Sequence, residues 1–85
     1  MWGVGPHMHL LGTSLSLETG GRCALSIPRW DFHWQRAYWY ADPLTIESGE
    51  TMTLRCRYDN LTDREVTWGD GTEDEMCVAF LYVTR

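Results

Sequence analysis

Lysine is absent from this chain of 85 residues. Its seven basic residues are all arginine, spread from Arg22 to Arg85 without a cluster, and twelve Asp and Glu residues bring the formal net charge to −5. Binding to nucleic acid or to an anionic membrane surface calls for a basic patch, and none forms here. Long apolar runs are also missing, since no stretch approaches the roughly 18 residues that a membrane span needs. Neither nucleic acid nor membrane is therefore expected as a partner. No stretch keeps a helical apolar period, and there is no linker, internal repeat or low-complexity segment. No secretory leader precedes His7, so a mature form, an excised domain or an engineered form is expected. Cysteine is scarce: three residues allow one internal pair and leave one over.

What the chain does hold is aromatic side chains and strand signals. Five Trp, four Tyr and two Phe supply large burial per residue to a core that is marginal at this length. Turn residues recur at Gly20-Gly21, Pro28, Asp42-Pro43, Ser48-Gly49, Asp59-Asn60 and Gly69-Asp70-Gly71. Such spacing predicts an all-β sandwich or barrel, with residues 1–85 as one domain. Strands are predicted over residues 7–18, 23–27, 32–40, 44–46, 51–58, 66–68 and 76–83. The alternation is clearest in 51–58, where Met52, Leu54, Cys56 and Tyr58 share one face.

Two places carry chemistry. In a strand, His7 and His9 share a face, and imidazoles at that spacing can converge on one metal. His-x-His also occurs in cores and loops without metal. Met76 is the second place, although a strand Met is usually core filler. Two imidazoles with one thioether suit Cu(I) better than zinc, calcium or magnesium, and three protein ligands leave a position open. The acidic run from Asp70 to Glu75 reads as a solvated turn and lacks the spacing of a calcium loop. Trp30, Trp34 and Trp39 form either core or a contact surface. The sequon Asn60-Leu61-Thr62 carries little information by itself.

The segment His7-Met8-His9-Leu10-Leu11-Gly12 resembles the His-x-His element of the copper type II, ascorbate-dependent monooxygenases, which include peptidylglycine α-hydroxylating and dopamine β-monooxygenases. Ser48-Gly49-Glu50 followed by Leu54-Arg55-Cys56 is similar to that family's Gly-turn, strand and Cys. Asp74-Glu75-Met76-Cys77, after the Gly-rich segment Trp68-Gly69-Asp70-Gly71-Thr72, is similar to its Asp-Glu-Met-Cys element. The three stand in the family's order and span nearly the whole chain. Ile27-Pro28-Arg29-Trp30-Asp31-Phe32 looks closer to bacterial members.

The resemblance implies a jelly-roll-like antiparallel β-sandwich, the second of the family's two domains, in a secreted or periplasmic protein. It implies His7, His9 and Met76 as the catalytic ligands of one copper ion, in the half that activates dioxygen and hydroxylates a small-molecule or peptide substrate. Ascorbate is the implied reductant. Cys56 and Cys77 match a family disulfide, which would close a loop of about 20 residues and contribute roughly 3 kcal/mol; two free buried thiols are the alternative. The first domain of the family holds a second copper on three histidines. His33 is the one histidine remaining here, so a missing N-terminal domain or a homodimer is expected to complete the protein. His33 reads as a packed or surface residue or an extra ligand, and Cys23 as a buried thiol or a cross-link to another chain.

Three functional classes follow: an oxygen-activating copper domain, a non-catalytic copper-binding or carrier module, and a metal-free sandwich. A cupin-like site wants Glu where Thr13 stands, and a blue-copper site wants a Cys–His–Met loop that is missing.

Overall fold

A computed structural model describes residues 1–62, 64–71 and 74–83, without the side chain of Trp34. Thr72 and Glu73 of the Gly-rich and acidic segments lie outside the described residues, as do Asp63 and the terminal Thr84-Arg85.

Among the described residues the architecture is all-β, with six strands in two three-stranded antiparallel sheets, as expected. They are β1 (Gly3–His7), β2 (Gly12–Thr19), β3 (Arg22–Ile27), β4 (Tyr38–Trp39), β5 (Met52–Tyr58) and β6 (Val78–Tyr82). One sheet has the order β4-β1-β6 and the other β3-β2-β5. The inner faces meet in one core, where Val4 of β1 packs with Leu17 of β2, Ala24 of β3 and Met1. Leu54, Met52 and Ala79 close round that cluster. The alternation predicted for 51–58 is seen in β5, where Leu54 pairs with Leu17 and Cys56 with Leu15.

Glycine serves two distinct purposes. Gly20 and Gly21 have positive φ (57° and 77°) and form the two-residue turn between β2 and β3, a conformation costly for residues with a Cβ. At Gly3 the limit is space: a Cβ would stand 2.6 Å from the Trp39 ring and 2.7 Å from the Tyr38 carbonyl oxygen.

Four predicted strands are corrected. Residues 7–18 are not continuous, because the chain leaves one sheet after His7 and enters the other at Gly12. A turn at Leu10-Leu11 makes that crossing, held by the Gly12 N–H donating to the His9 carbonyl at 3.4 Å. Residues 32–40 begin with a 3-10 turn, Phe32–Trp34, because Asp31 accepts from the His33 N–H at 2.9 Å and caps it. Only Tyr38–Trp39 pair as a strand. Residues 44–46 are a loop whose Leu44 and Ile46 cover the core, and 66–68 contribute a single bridge, Trp68 to Glu75.

Tyr40 joins the loop to the core, its hydroxyl donating to the Ala24 carbonyl at 2.8 Å. Burial, with a smaller contribution from Cys23, raises its phenol above the ordinary tyrosine value. The folded chain thus holds this proton more tightly than the unfolded chain. Its contribution to stability is complete below about pH 10, the unfolded value, and declines as pH rises through the folded one. The urea midpoint is expected to fall across that alkaline range, and Tyr40→Phe to remove part of the fall. A slope unchanged by Tyr40→Phe would contradict this.

Candidate metal centre

His7 is the last residue of β1, opposite Val78 of β6. The two ends of the chain therefore meet, and Met76 lies two residues from the partner of His7. His9 follows in the turn that leads to β2. Although the strand breaks between them, the rings stay together, with centroids 5.0 Å apart in an edge-on arrangement. The intervening Met8 is fully buried. The turn preserves the alternation that a strand would have given.

Hydrogen bonds fix which nitrogen of each ring donates. His9 Nδ1 lies 2.8 Å from the Asp74 carbonyl oxygen, which can only accept, so His9 carries its proton on Nδ1. His7 Nδ1 lies 2.5 Å from Gln35 Oε1. The Gln35 Nε2 donates to the Phe32 carbonyl at 2.9 Å, which fixes the orientation of the amide and makes His7 the donor. With the proton on Nδ1, the neutral form of each ring has its lone pair on Nε2. A metal-binding histidine is commonly arranged this way, its far nitrogen anchored to a carbonyl oxygen.

Glu75 ties the His9 turn to the Met76 segment. It is only 9% exposed. Its Oε1 accepts from the His9 N–H at 2.8 Å and the Met76 N–H at 3.2 Å, and its Oε2 accepts from the Leu11 N–H at 2.8 Å. Two bonds to one oxygen keep the amide nitrogens of His9 and Met76 within about 6 Å of each other, whatever the angle between them. The Met76 carbonyl accepts from the Tyr58 hydroxyl at 2.7 Å, and the next residue, Cys77, is bonded to Cys56 of β5. The Met76 backbone is thus held at its N–H by its neighbour Glu75, itself bonded to His9 and Leu11, and on its carbonyl side by Tyr58 and the Cys56–Cys77 bond.

The paired histidines were legible in the sequence, whereas the functions of Glu75 and Gln35 were not. Glu75 lies in the Asp74-Glu75-Met76-Cys77 segment, but nothing in the sequence marks it as the acceptor for a turn more than sixty residues away. Gln35 gave no signal at all. His33 is exposed, and its ring contact is with Phe32 rather than with the other histidines. Cys23 is a free thiol, and it is exposed rather than buried. Trp39 is 64% exposed, so it is not a core residue; its ring lies 4.7 Å from that of Tyr82.

No group of three or more His, Cys, Asp and Glu side chains suited to a metal gathers among the described residues. Thioether sulfur is a donor outside those four residue types. The pair of anchored imidazoles beside a fixed methionine segment fits a soft monovalent metal.

Residues 1–84 match the family model for the copper type II ascorbate-dependent monooxygenase C-terminal domain, and the chain belongs to that family. A human relative, DBH-like monooxygenase protein 1, is 34% identical over 81 residues, a match covering 88% of this chain. The same match covers 13% of that relative, so the chain corresponds to a small part of its length. These matches give no support to a bacterial placement from segment 27–32. No solved structure matches.

Proposed function

We propose that this chain is a mononuclear copper-binding domain, with His7, His9 and Met76 as ligands, from the substrate-hydroxylating half of an ascorbate-dependent monooxygenase. The observation that carries this reading is the shared use of Glu75 Oε1 by the amides of His9 and Met76, which draws the two ends of the chain to one place. Copper, when bound, supplies the one-electron redox chemistry that hydroxylation of a C–H bond by dioxygen requires. The chain's own residues do the positioning. Gln35 and the Asp74 carbonyl hold the imidazoles with Nε2 available, while Tyr58, Glu75 and the disulfide hold the methionine segment.

Dioxygen, a small-molecule or peptide substrate and a further copper domain are the partners this reading carries, with ascorbate as reductant. A secreted or periplasmic location accords with the disulfide, since such bonds persist in oxidising compartments.

Loading with Cu(I) under argon, followed by desalting, is expected to leave one copper per chain. Met76→Ala is expected to lower Cu(I) affinity by about tenfold or more, since it removes the soft donor. Stoichiometry near zero, or unchanged affinity in Met76→Ala, would sink the ligand set. Oxygen uptake with ascorbate then separates catalysis from carriage. A rate no greater than that of copper-free protein would favour a carrier module.

A further inference from the structure

We propose that a cavity beside this site binds one small planar organic anion, a carboxylate or enediolate, between the guanidinium groups of Arg29 and Arg36. The cavity has a volume of about 250 Å³, and Trp30, Asp31, Gln35 and Tyr38 contribute to its walls. It is smaller than the roughly 300–1,000 Å³ sites that hold drug-sized ligands, which argues against a peptide or nucleotide.

Charge is the first argument. In a chain of net charge −5 without lysine, two of the seven arginines line one small cavity. Neither is in an ion pair among the described residues, whereas Arg22 pairs with Glu50 at 3.3 Å. Asp31 offsets part of the positive charge, but one of its oxygens is engaged by the His33 amide. Geometry is the second argument. The Arg36 guanidinium lies over the Tyr38 ring, 5.1 Å from its centre, which restricts a side chain that would otherwise roam. Planar guanidinium forks match planar carboxylate-type oxygens better than any neutral ligand.

Position gives the site its interest. Gln35 forms part of the wall and also anchors His7. An anion held there stands one side chain away from the histidine pair. Ascorbate, a monoanion at neutral pH with a flat enediolate ring, belongs to the class that the cavity fits. Binding of an anion there does not depend on the copper reading, and it is tested without metal.

The wall also supplies a reporter. The indole Nε1 of Trp30 is buried and has no acceptor among the described residues, so its N–H resonance should respond to charge placed nearby. The metal-free chain would be titrated under argon with ascorbate and, separately, with acetate, against sodium chloride of equal ionic strength. The Trp30 indole signal, assigned through Trp30→Phe, would be followed by NMR. A saturable shift with ascorbate or acetate but not with chloride is expected, and the stronger of the two identifies an enediolate or a simple carboxylate. The double variant Arg29→Gln/Arg36→Gln alters only exposed side chains and is expected to weaken binding by about tenfold or more. No saturable shift, an equal response to chloride, or undiminished binding in a folded double variant would overturn the proposal.

Discussion

Glu75→Ala is expected to destabilise the domain by about 3–5 kcal/mol, more than an average substitution would. Glu75 accepts the backbone N–H groups of His9, Leu11 and Met76 from a nearly buried position. Removing the carboxylate leaves these donors short of a partner, and each buried, unpaired N–H costs about 1–3 kcal/mol. A domain of this length is stabilised by only about 4–13 kcal/mol in total. Thermal unfolding is therefore expected to begin at least about 12 °C lower than in the parent chain. Glu75→Gln keeps one acceptor oxygen but turns an NH2 group towards an N–H, and it is expected to lose about half as much. Glu65→Ala, at an exposed carboxylate, is the control expected to change little. A melting temperature for Glu75→Ala equal to that of the control would contradict the role assigned to Glu75.

Removing the Cys56–Cys77 bridge comes next in size. The bond joins β5 of one sheet to the residue just before β6 of the other, across 21 positions of sequence. Its loss as Cys56→Ser/Cys77→Ser is expected to cost about 3 kcal/mol by releasing the unfolded chain from a closed loop. The effect should reach beyond stability, because Met76 is the neighbour of Cys77. In whatever fraction stays folded, Cu(I) affinity is expected to fall by about tenfold, the usual scale for losing a support of a metal ligand. Equilibrium unfolding in urea and competition with a Cu(I) chelator measure the two effects separately. A bridge-free chain with unchanged stability would show that the sheets do not need this tie.

Much of the fold can be read from residue order because its strands obey simple alternation. In β5 and in the second half of the predicted 7–18 strand, apolar and polar residues alternate cleanly, and both segments pair in the structure. Gly20-Gly21 announced a turn that the backbone then required. Other elements resisted for identifiable reasons. The strand Gly3–His7 contains two glycines and a proline, residues that weaken a strand signal, and no strand is predicted before His7. It forms because Val4 is buried in the core and Trp39 covers the face that Gly3 leaves bare. The aromatic run after Asp31 looked like a long strand, yet one capping carboxylate was enough to start a tight turn there.

The candidate site divides in the same way. His7, His9 and Met76 stand out because few residue types bind soft metals, and Cys56 and Cys77 because few can form a covalent tie. The residues that orient them are ordinary in type. Gln35 reaches His7 across 28 positions and Glu75 reaches His9 across 66, and no local pattern encodes such contacts. A reading confined to short windows finds the donors and overlooks their supports.

X-ray absorption at the copper edge on the Cu(I)-loaded chain tests the central claim most directly. The spectrum is expected to contain two imidazole nitrogens and one sulfur scatterer at bonding distance, with the sulfur gone in Met76→Ala. A copper shell lacking sulfur in the parent chain, or one whose sulfur persists after Met76→Ala, would contradict the account.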